Sequence, residues 1–268
     1  MNLDKIIKIQ LNNTLQSSSF SNLGRHYKGK VRDNYYLDDK IIMITSDRVS
    51  AFDCVLGTIP FKGQILTELA TFWFNKTKHI VPNHYISSID SQIMLVNEAT
   101  PLPIEVIIRR YITGSLWRDY SSGTKDLYGL AFKSDLIQNE RFSDPIITPS
   151  TKEEYGKHDQ PISKEDIINK GLVTKKVYEQ VEQYALQLFE VGEQWADSQG
   201  LILVDTKYEF GLIGNKIIVI DEIHTPDSSR YWMKKDYQSR FLQKKKQLML
   251  DKENIRQWLI ERGFSGHG

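Results

Sequence analysis

Acidic and basic side chains alternate at the end of an apolar run in residues 201–211. Side chains in a strand repeat every two residues, so Asp205, Lys207 and Glu209 are expected on one face. A second apolar run ends at Asp221, and pairing of the two runs as a hairpin is expected to bring Glu209 and Asp221 together. Neighbouring carboxylates are costly unless a cation joins them, and Mg²⁺ prefers one or two carboxylates with phosphate oxygens and water. The hairpin therefore indicates a metal–phosphate site, with an ion-pair network through Lys207 as an alternative that these residues leave open.

A glycine lies among three cations in residues 27–33. Backbone N–H groups near Gly29 can approach a phosphate closely, and Lys28, Lys30 and Arg32 supply positive charge. The run is not a Walker A sequence, which requires Gly-Lys-Ser/Thr before a helix. It is closer to the glycine loop of kinase-like hairpins, in which strands cover the nucleotide phosphates. A solvated basic hairpin is the alternative.

Two further segments carry side chains that suit a phosphate or a carboxylate. Arg109 and Arg110 leave a strand shortly before Ser115, and arginine forks with a serine hydroxyl bind such anions. Strand alternation sends the two arginines to opposite faces, so one of them is expected to be structural. Residues 227–230, which end at Arg230, are predicted to be a turn that enters a helix and offers N–H groups to an anion, or else a plain helix cap.

The elements that must hold these side chains follow from periodicity and turn signals. The predicted elements of the first half are a hairpin of residues 31–37 and 40–45, a helix over 63–75, and strands over 84–96 and 104–110. Pro101 and Pro103 predict a stiff connector between the last two strands. In the second half, Ser163 and Thr174 are predicted N-caps of a short helix and of a long helix that ends near Ser198. The apolar stripe predicted for the long helix comprises Val177, Val181, Tyr184, Ala185, Leu188, Val191 and Trp195.

Composition limits the class of protein. The chain has 268 residues, 40% of them hydrophobic, and a formal net charge of +1. The near-neutral charge argues against nucleic-acid binding, which needs a basic surface. No apolar run is long enough for a membrane span, and the N-terminus shows no signal-peptide core. The single cysteine, Cys54, is expected to be a small buried core residue of a protein in the reducing cytoplasm.

Two lobes are predicted from the change in pattern along the chain. Residues 1–105 are expected to form a small β-rich N-terminal lobe with the glycine loop. Residues 106–268 are expected to form a larger α/β lobe with the acidic hairpin and C-terminal helices. The fold class is therefore α+β or α/β.

Six runs, taken in order, resemble the phosphoribosylaminoimidazole-succinocarboxamide synthase (SAICAR synthetase) family. They are GKVRD (29–33), SDRVSAFD (46–53), RRYITGS (109–115), TPSTK (148–152), LILVDTKYEFG (201–211) and DEIHTPDSSRYW (221–232). The resemblance implies a two-lobed fold related to the ATP-grasp enzymes, with ATP in the cleft. It also implies an ATP-dependent ligase of purine biosynthesis that joins L-aspartate to the carboxylate of an aminoimidazole ribonucleotide. The mechanism expected for such a reaction is transfer of the ATP γ-phosphate to the carboxylate, which gives an acyl-phosphate intermediate.

The same resemblance implies a role for each matching residue. Those implied to contact ATP are Lys28, Gly29, Lys30, Lys152, Glu209 and Asp221, the last two through Mg²⁺. Asp205 and Lys207 are implied to be the catalytic support of that site, and residues 101–105 to flank the adenine. Those implied to hold the ribonucleotide are Arg109, Ser115 and Arg230 at its phosphate, and Ser46, Asp47 and Asp53 at its imidazole.

The expected partners are small molecules only, namely ATP, the ribonucleotide and L-aspartate, with no nucleic acid and no membrane. The chain is expected to be a monomer or a homodimer. A small-molecule kinase or other ATP-grasp ligase, and a nucleotide-sensing module without chemistry, are the alternative functions.

Overall fold

The computed structural model describes residues 2–52, 54–124, 127–152 and 159–264. The chain divides into two compact units. Unit 1 comprises Met1–Lys76, Asn83–Ala99 and Lys252–Gly268, and unit 2 comprises Thr77–Pro82 and Thr100–Asp251. This division differs from the boundary predicted after residue 105, because one continuous strand begins at Thr100. It also groups the last residues of the chain with unit 1, whereas the sequence pattern placed them in the second lobe.

Thirteen strands and seven helices follow one another in the described residues. The strands are β1 (Arg25–Lys28), β2 (Arg32–Tyr36), β3 (Lys40–Thr45), β4 (Arg48–Ala51), β5 (Cys54–Thr58), β6 (Tyr85–Asp90), β7 (Ile93–Asn97), β8 (Thr100–Tyr111), β9 (Arg141–Ile147), β10 (Ser150–Thr151), β11 (Leu201–Ile213), β12 (Lys216–Ile220) and β13 (Ser229–Met233). The helices are α1 (Leu3–Gln10), α2 (Lys62–Thr77), α3 (Gly114–Ser121), α4 (Lys164–Asn169), α5 (Lys175–Ser198), α6 (Lys234–Leu242) and α7 (Glu253–Ile260). No helix in these residues is long and apolar enough to cross a lipid bilayer.

A five-stranded antiparallel sheet, in the order β1-β2-β3-β7-β6, is the framework of unit 1. The predicted hairpin is confirmed as β2 and β3, with Arg32 opposite Thr45. The predicted helix is confirmed as α2, and its Thr67 hydroxyl lies 3.0 Å from that of Thr45 on β3. The predicted strand over 84–96 is instead a hairpin of β6 and β7. β4 and β5 form a separate two-stranded hairpin.

A second antiparallel sheet is the framework of unit 2, and β11 lies at its centre. Strand β11 pairs with β8 on one side, and with β13 and then β12 on the other. The predicted pairing of the two acidic strands is confirmed, with Glu209 opposite Ile220. Helix α5 packs against β11 and β8, so one face of the sheet is buried and the other is left for polar side chains.

The N-caps predicted for the two helices of unit 2 are confirmed. The Ser163 hydroxyl accepts a hydrogen bond from the N–H of Asp166, and Thr174 accepts one from Val177. The stripe predicted for α5 is partly wrong, because Trp195 is 39% exposed. The residues of α5 that are buried are Tyr178, Val181, Ala185, Leu188, Phe189, Gly192 and Ala196. Small side chains on this face let the helix come close to the sheet, and the pattern of large apolar residues did not reveal that.

Three local predictions are wrong. Cys54 is exposed on β5 and is not a core residue. Pro101 and Pro103 lie inside β8 and are not a connector, since they occupy the exposed positions that alternate with buried Leu102. The turn before Arg230 enters strand β13 and reaches a helix only at Lys234.

Candidate functional site

A row of charged side chains covers one face of the unit 2 sheet. Asp205, Lys207 and Glu209 project from β11 on that face, as strand alternation predicts. In the neighbouring strand β8, Arg109 lies opposite Asp205 and Glu105 lies opposite Glu209. The register therefore pairs an acid with a base at one end of the row, where Asp205 faces Arg109. At the other end it pairs two acids, Glu209 and Glu105.

Two lysines hold the paired acids together. Lys207 Nζ donates to Glu105 Oε1 at 2.7 Å and to Glu209 Oε1 at 2.5 Å. Lys152 Nζ donates to the other oxygen of Glu209. Lys152 follows the short strand β10, and its N–H donates to the Pro103 carbonyl at 3.0 Å. Glu105 and Glu209 are 7% and 9% exposed, so the ammonium groups offset a large desolvation cost.

The two acids differ in their affinity for a proton. Burial raises the pKa of Glu105 to about 7; Lys207 opposes this shift and the Glu209 charge adds to it. Burial also acts to raise the pKa of Glu209, but Lys207 and Lys152 outweigh it and hold that pKa below its usual range. Burial acts to lower the pKa of Lys207, yet Glu209 and Glu105 raise it well above its ordinary value. Glu209 and Lys207 are therefore both charged near neutral pH.

Asp221 lies directly after β12, one position beyond the residue opposite Glu209. Its φ of 65° is in the left-handed region, which is uncommon for a residue other than glycine. Its charge helps to raise the pKa values of both Lys152 and Lys207. The charges of Glu209 and Asp221 thus both act on the ammonium groups of Lys152 and Lys207.

The acids suit a hard cation that brings other ligands with it. No group of three or more His, Cys, Asp or Glu side chains arranged to hold a metal occurs in the described part of the chain. Mg²⁺ does not need one, because it takes one or two carboxylates and completes its shell with phosphate oxygens and water. Glu209 and Asp221 supply that number of hard oxygen ligands, and the ammonium groups on Glu209 show that this place attracts cations.

An arginine pair forms the other end of the row. Arg109 Nη1 and Arg230 Nη1 donate to the same oxygen of Asp205, at 3.1 and 2.8 Å. Arg109 also donates through Nε to Thr148 Oγ1 at 2.7 Å and through Nη2 to Ser115 Oγ at 3.4 Å. Two guanidinium groups share one carboxylate, so a net positive charge remains beside the Ser115 hydroxyl for an anionic ligand.

Gly114 makes room for this arginine pair. It is the first residue of α3 and has a φ of +59°. A Cβ at this position would overlap the Arg230 guanidinium. Any other residue would therefore displace Arg230 from the helix N-terminus, which is a favourable place for an anion.

Arg110 has the structural role expected for one of the two neighbouring arginines. Its guanidinium donates to both oxygens of Glu193 on α5, at 2.7 and 2.6 Å. Its side chain is therefore on the opposite face of β8 from Arg109.

The glycine turn belongs to unit 1 and joins β1 to β2. Lys28 is exposed and lies opposite Asp33. Gly29 N–H donates to the Arg32 carbonyl at 2.7 Å, which closes the turn. Lys30 lies within the turn. The predicted basic residues are therefore together at the end of one hairpin.

The serine and aspartate that follow β3 have partners inside unit 1. The Ser46 hydroxyl donates to the Val31 carbonyl at 2.5 Å. Asp47 accepts from the N–H of Leu15 at 2.8 Å and from the N–H of Gly63, in the first turn of α2, at 2.9 Å. Asp47 is thus a buried cap of that helix, and these bonds favour a supporting role for both residues. Asp53, the third predicted residue of this group, lies outside the described residues.

Three residues have contacts at these sites that were not predicted from the sequence. The family resemblance implies only that Glu105 flanks the adenine, but Glu105 is four residues before Arg109 in a strand, so period-two alternation could have placed it on the charged face. Thr148 begins the TPSTK run, but nothing in that run indicates its contact with Arg109. Arg48 supports the glycine turn from another strand, and no local pattern indicates that contact.

Comparison with known proteins gives one consistent result. The family model described as SAICAR synthetase matches residues 25–266. The phosphoribosylaminoimidazole-succinocarboxamide synthase of Cytophaga hutchinsonii is 48% identical over 241 residues, which cover 90% of this chain and 77% of that relative. The protein of the same name from Bacteroides thetaiotaomicron is 46% identical over 242 residues, with the same two coverages of 90% and 77%.

Solved structures give the same result for the fold. The SAICAR synthase of Saccharomyces cerevisiae in complex with SAICAR has a TM-score of 0.78 and 31% identity, over 93% of this chain and 88% of that one. A SAICAR synthetase in complex with ADP has a TM-score of 0.71 and 26% identity, over 87% of this chain and 90% of that one. The α+β architecture predicted from the sequence is confirmed. The chain belongs to the SAICAR synthetase family.

Proposed function

We propose that this chain is an ATP-dependent ligase that joins L-aspartate to 5-amino-1-(5-phospho-D-ribosyl)imidazole-4-carboxylate, here called the ribonucleotide. The products are the succinocarboxamide, ADP and phosphate, and the step belongs to purine biosynthesis. Its relatives bear the name of this synthase, and one related structure contains SAICAR while another contains ADP.

One observation carries the proposal: strand β11 contributes Glu209 to the acidic cluster and Asp205 to the arginine pair, so one strand connects the two sites. Glu209 and Asp205 are four residues apart on β11, which corresponds to about 13 Å along a strand. A ribonucleotide with its phosphate at Arg109, Ser115 and Arg230 would extend its carboxylate along the strand towards Lys207. ATP would direct its γ-phosphate to the acidic end.

Each proposed step builds negative charge that fixed cations can stabilise. A carboxylate oxygen of the ribonucleotide attacks the γ-phosphorus of ATP, and the bond from phosphorus to the ADP oxygen breaks. The amine of aspartate then attacks the acyl carbon, loses a proton and displaces phosphate, so the carbon–nitrogen bond replaces the acyl–oxygen bond. Lys207, held between two acids, stabilises the charge on the transferring phosphoryl group. Asp205 contacts both arginines, so its role is to position them.

Several residues are proposed to hold ATP. Glu209 and Asp221 would hold Mg²⁺, which when bound neutralises phosphate charge and stabilises the leaving ADP. Lys152, which now donates to Glu209, would also contact a phosphate. Lys28, Gly29 and Lys30 are proposed to bind phosphate oxygens from the glycine turn of unit 1.

An assay that omits one substrate at a time tests the proposal against its rivals. Purified protein with Mg²⁺, ATP, the ribonucleotide and aspartate should form the succinocarboxamide, with one ADP released for each product. A small-molecule kinase would release ADP at an undiminished rate without aspartate. A nucleotide-sensing module would bind ATP and release no phosphate even with all substrates present. Either result would overturn the proposal.

Neutral isosteres test the two proposed metal ligands. Glu209→Gln and Asp221→Asn should each lower kcat at least about 100-fold, because a lost ligand removes several kcal/mol of charge stabilisation. Glu182→Gln is the matched control, since Glu182 pairs with Lys164 elsewhere in unit 2. Its rate should equal that of the unsubstituted enzyme, and near-normal rates in the first two variants would reject the metal role.

A further inference from the structure

Arg48 supports the glycine turn of unit 1 from the inside. It is only 4% exposed. Its Nε donates to the Lys30 carbonyl at 3.0 Å, and its Nη2 donates to the Gly29 carbonyl at 3.0 Å. Its Nη1 donates to the Gln16 carbonyl. One guanidinium group therefore joins two consecutive carbonyls of the turn to a separate segment of the chain.

A buried carboxylate fixes this guanidinium in place. Nη2 of Arg48 also donates to Asp33 Oδ1 at 2.7 Å. The other oxygen of Asp33 accepts from the N–H and the hydroxyl of Ser18, at 2.7 and 3.0 Å. Asp33 is 1% exposed, so the arginine cannot swing away without leaving a buried charge unpaired.

A third carbonyl of the turn is held in the same way. The Val31 carbonyl accepts from Ser46 N–H at 2.9 Å and from its hydroxyl at 2.5 Å. The carbonyls of Gly29, Lys30 and Val31 therefore all face the interior of unit 1. A trans peptide is planar, and its C=O and N–H point in opposite directions. The N–H groups of Lys30 and Val31 must then face away from Arg48.

We infer that Arg48 is a positioning residue for phosphate binding, because it turns the carbonyls of the glycine turn inward and thereby presents successive N–H groups to ATP. Successive N–H groups that face one side form a concave anion site. The inference rests on the proposed function, in which this turn binds phosphate. It gives residues 46–48 a supporting role at the ATP site in place of the imidazole contact that the family resemblance implies for Ser46 and Asp47.

Arg48→Lys is the test variant. Lysine keeps the positive charge, but a single ammonium group cannot reproduce the planar fork that reaches two carbonyls and a carboxylate. The KM for ATP should rise about tenfold, which corresponds to the loss of one charge-assisted hydrogen bond. The KM values for the ribonucleotide and aspartate should stay within about twofold of their original values.

Thr67→Val is the matched control for stability. Thr67 is 2% exposed in the same unit, and its hydroxyl contacts Thr45 rather than the turn. This variant should lower the unfolding temperature and leave the KM for ATP unchanged. A purely structural Arg48 would behave like Thr67, with a lower unfolding temperature and an unaltered KM for ATP, and that result would overturn the inference.

Ser46→Ala keeps the test open if Arg48→Lys does not fold. It removes one of the two hydrogen bonds to the Val31 carbonyl, so the KM for ATP should rise by a smaller factor than in Arg48→Lys. A rise in the KM for the ribonucleotide alone would contradict the inference and support imidazole contact. If the unsubstituted enzyme does not use ATP at all, the proposed function fails. If it uses ATP while both variants keep its KM, only the inference fails.

Discussion

Asp205 shows how one carboxylate can organise a proposed anion site without filling it. It accepts from Arg109 and Arg230 through a single oxygen. The two guanidinium groups are thereby held side by side, and their combined charge is only half neutralised. In the proposed function the arginines would not need to move when a phosphate arrives, so binding would not have to offset a large ordering entropy.

Arg230→Ala should raise the KM for the ribonucleotide by at least about tenfold, because one charge-assisted contact with its phosphate is lost. The KM for ATP should change little. Arg110→Ala is the matched control, since Arg110 contacts Glu193 on the other face of the sheet. An unchanged KM for the ribonucleotide in Arg230→Ala would assign that arginine a structural role.

His224 should make the stability of unit 2 depend on pH. It is 1% exposed, and its Nε2 lies 2.5 Å from the Tyr208 hydroxyl. Burial lowers the pKa of His224 to about 3 from the ordinary value of 6.5. The unfolded chain therefore takes up a proton first as the pH falls below 6.5, and stability decreases from there towards pH 3. The loss between pH 6.5 and 5 should be about 2 kcal/mol.

Urea unfolding at a series of pH values measures this effect. His224→Gln should flatten the dependence over this pH range, because glutamine does not titrate. His79→Gln, which alters an exposed histidine, should retain the original slope. Equal slopes in the two variants would show that His224 is not responsible.

Alternation along β11 was enough to predict the charged face of the site. Asp205, Lys207 and Glu209 lie on one face because the strand period is two. Arg48 could not be found in this way. Its contact with Gly29 joins residues on different hairpins, and only the packing of those hairpins brings them together.

At the scale of elements, Gly192 lets α5 lie close to Leu203 of β11 and to His224. A Cβ at this position would lie 2.8 Å from both Leu203 Cδ2 and His224 Nε2. Gly192→Ala should therefore lower the free energy of unfolding by about 1–3 kcal/mol through overpacking. In an exposed helix the same change would be stabilising. Gln194→Ala, at an exposed position of the same helix, should be nearly neutral in thermal unfolding. A stabilised Gly192→Ala variant would contradict this close approach.

Strand β8 shows why local signals for a connector were misleading. Prolines at positions 101 and 103 suggested a break, yet both fit a strand because they occupy its exposed positions. The pairing of β8 with β11 shifts register between Glu209 and Gly211, and the extra residues of this irregularity lie in β8 between Pro101 and Glu105. The missing N–H groups are therefore accommodated at an irregular place. The alternating burial of Leu102 and Ile104 favours a strand here, and it outweighs the low preference of proline for strands.

At the scale of the whole molecule, removal of divalent cations should stop turnover without unfolding the protein. The Lys152 and Lys207 ammonium groups already offset the charge of Glu209, so this acidic side chain does not need a cation for the protein to fold. EDTA should therefore abolish ADP release and leave the unfolding temperature of the ATP-free protein unchanged. Adding excess Mg²⁺ should restore the rate. A lower unfolding temperature in EDTA alone would point to a metal that stabilises the fold.

The division into units was only partly visible in the sequence. A β-rich first part and a mixed second part were predicted, and the boundary differs by a few residues because β8 is one long strand. The grouping of Lys252–Gly268 with unit 1 depends on contacts between distant parts of the chain. Local periodicity carries no information on such contacts.

The contacts of Lys152 and Lys207 with Glu209 affect how the affinity of this carboxylate for a cation depends on pH. Ligands that must first lose a proton bind metals more weakly as the solution becomes acidic. Lys152 and Lys207 keep the pKa of Glu209 below its usual range, so this carboxylate is already ionised across the physiological range. Exchange of an ammonium contact for a metal ion there releases no proton from Glu209. A fall in pH towards 5 should thus leave this proposed ligand as ready for Mg²⁺ as before.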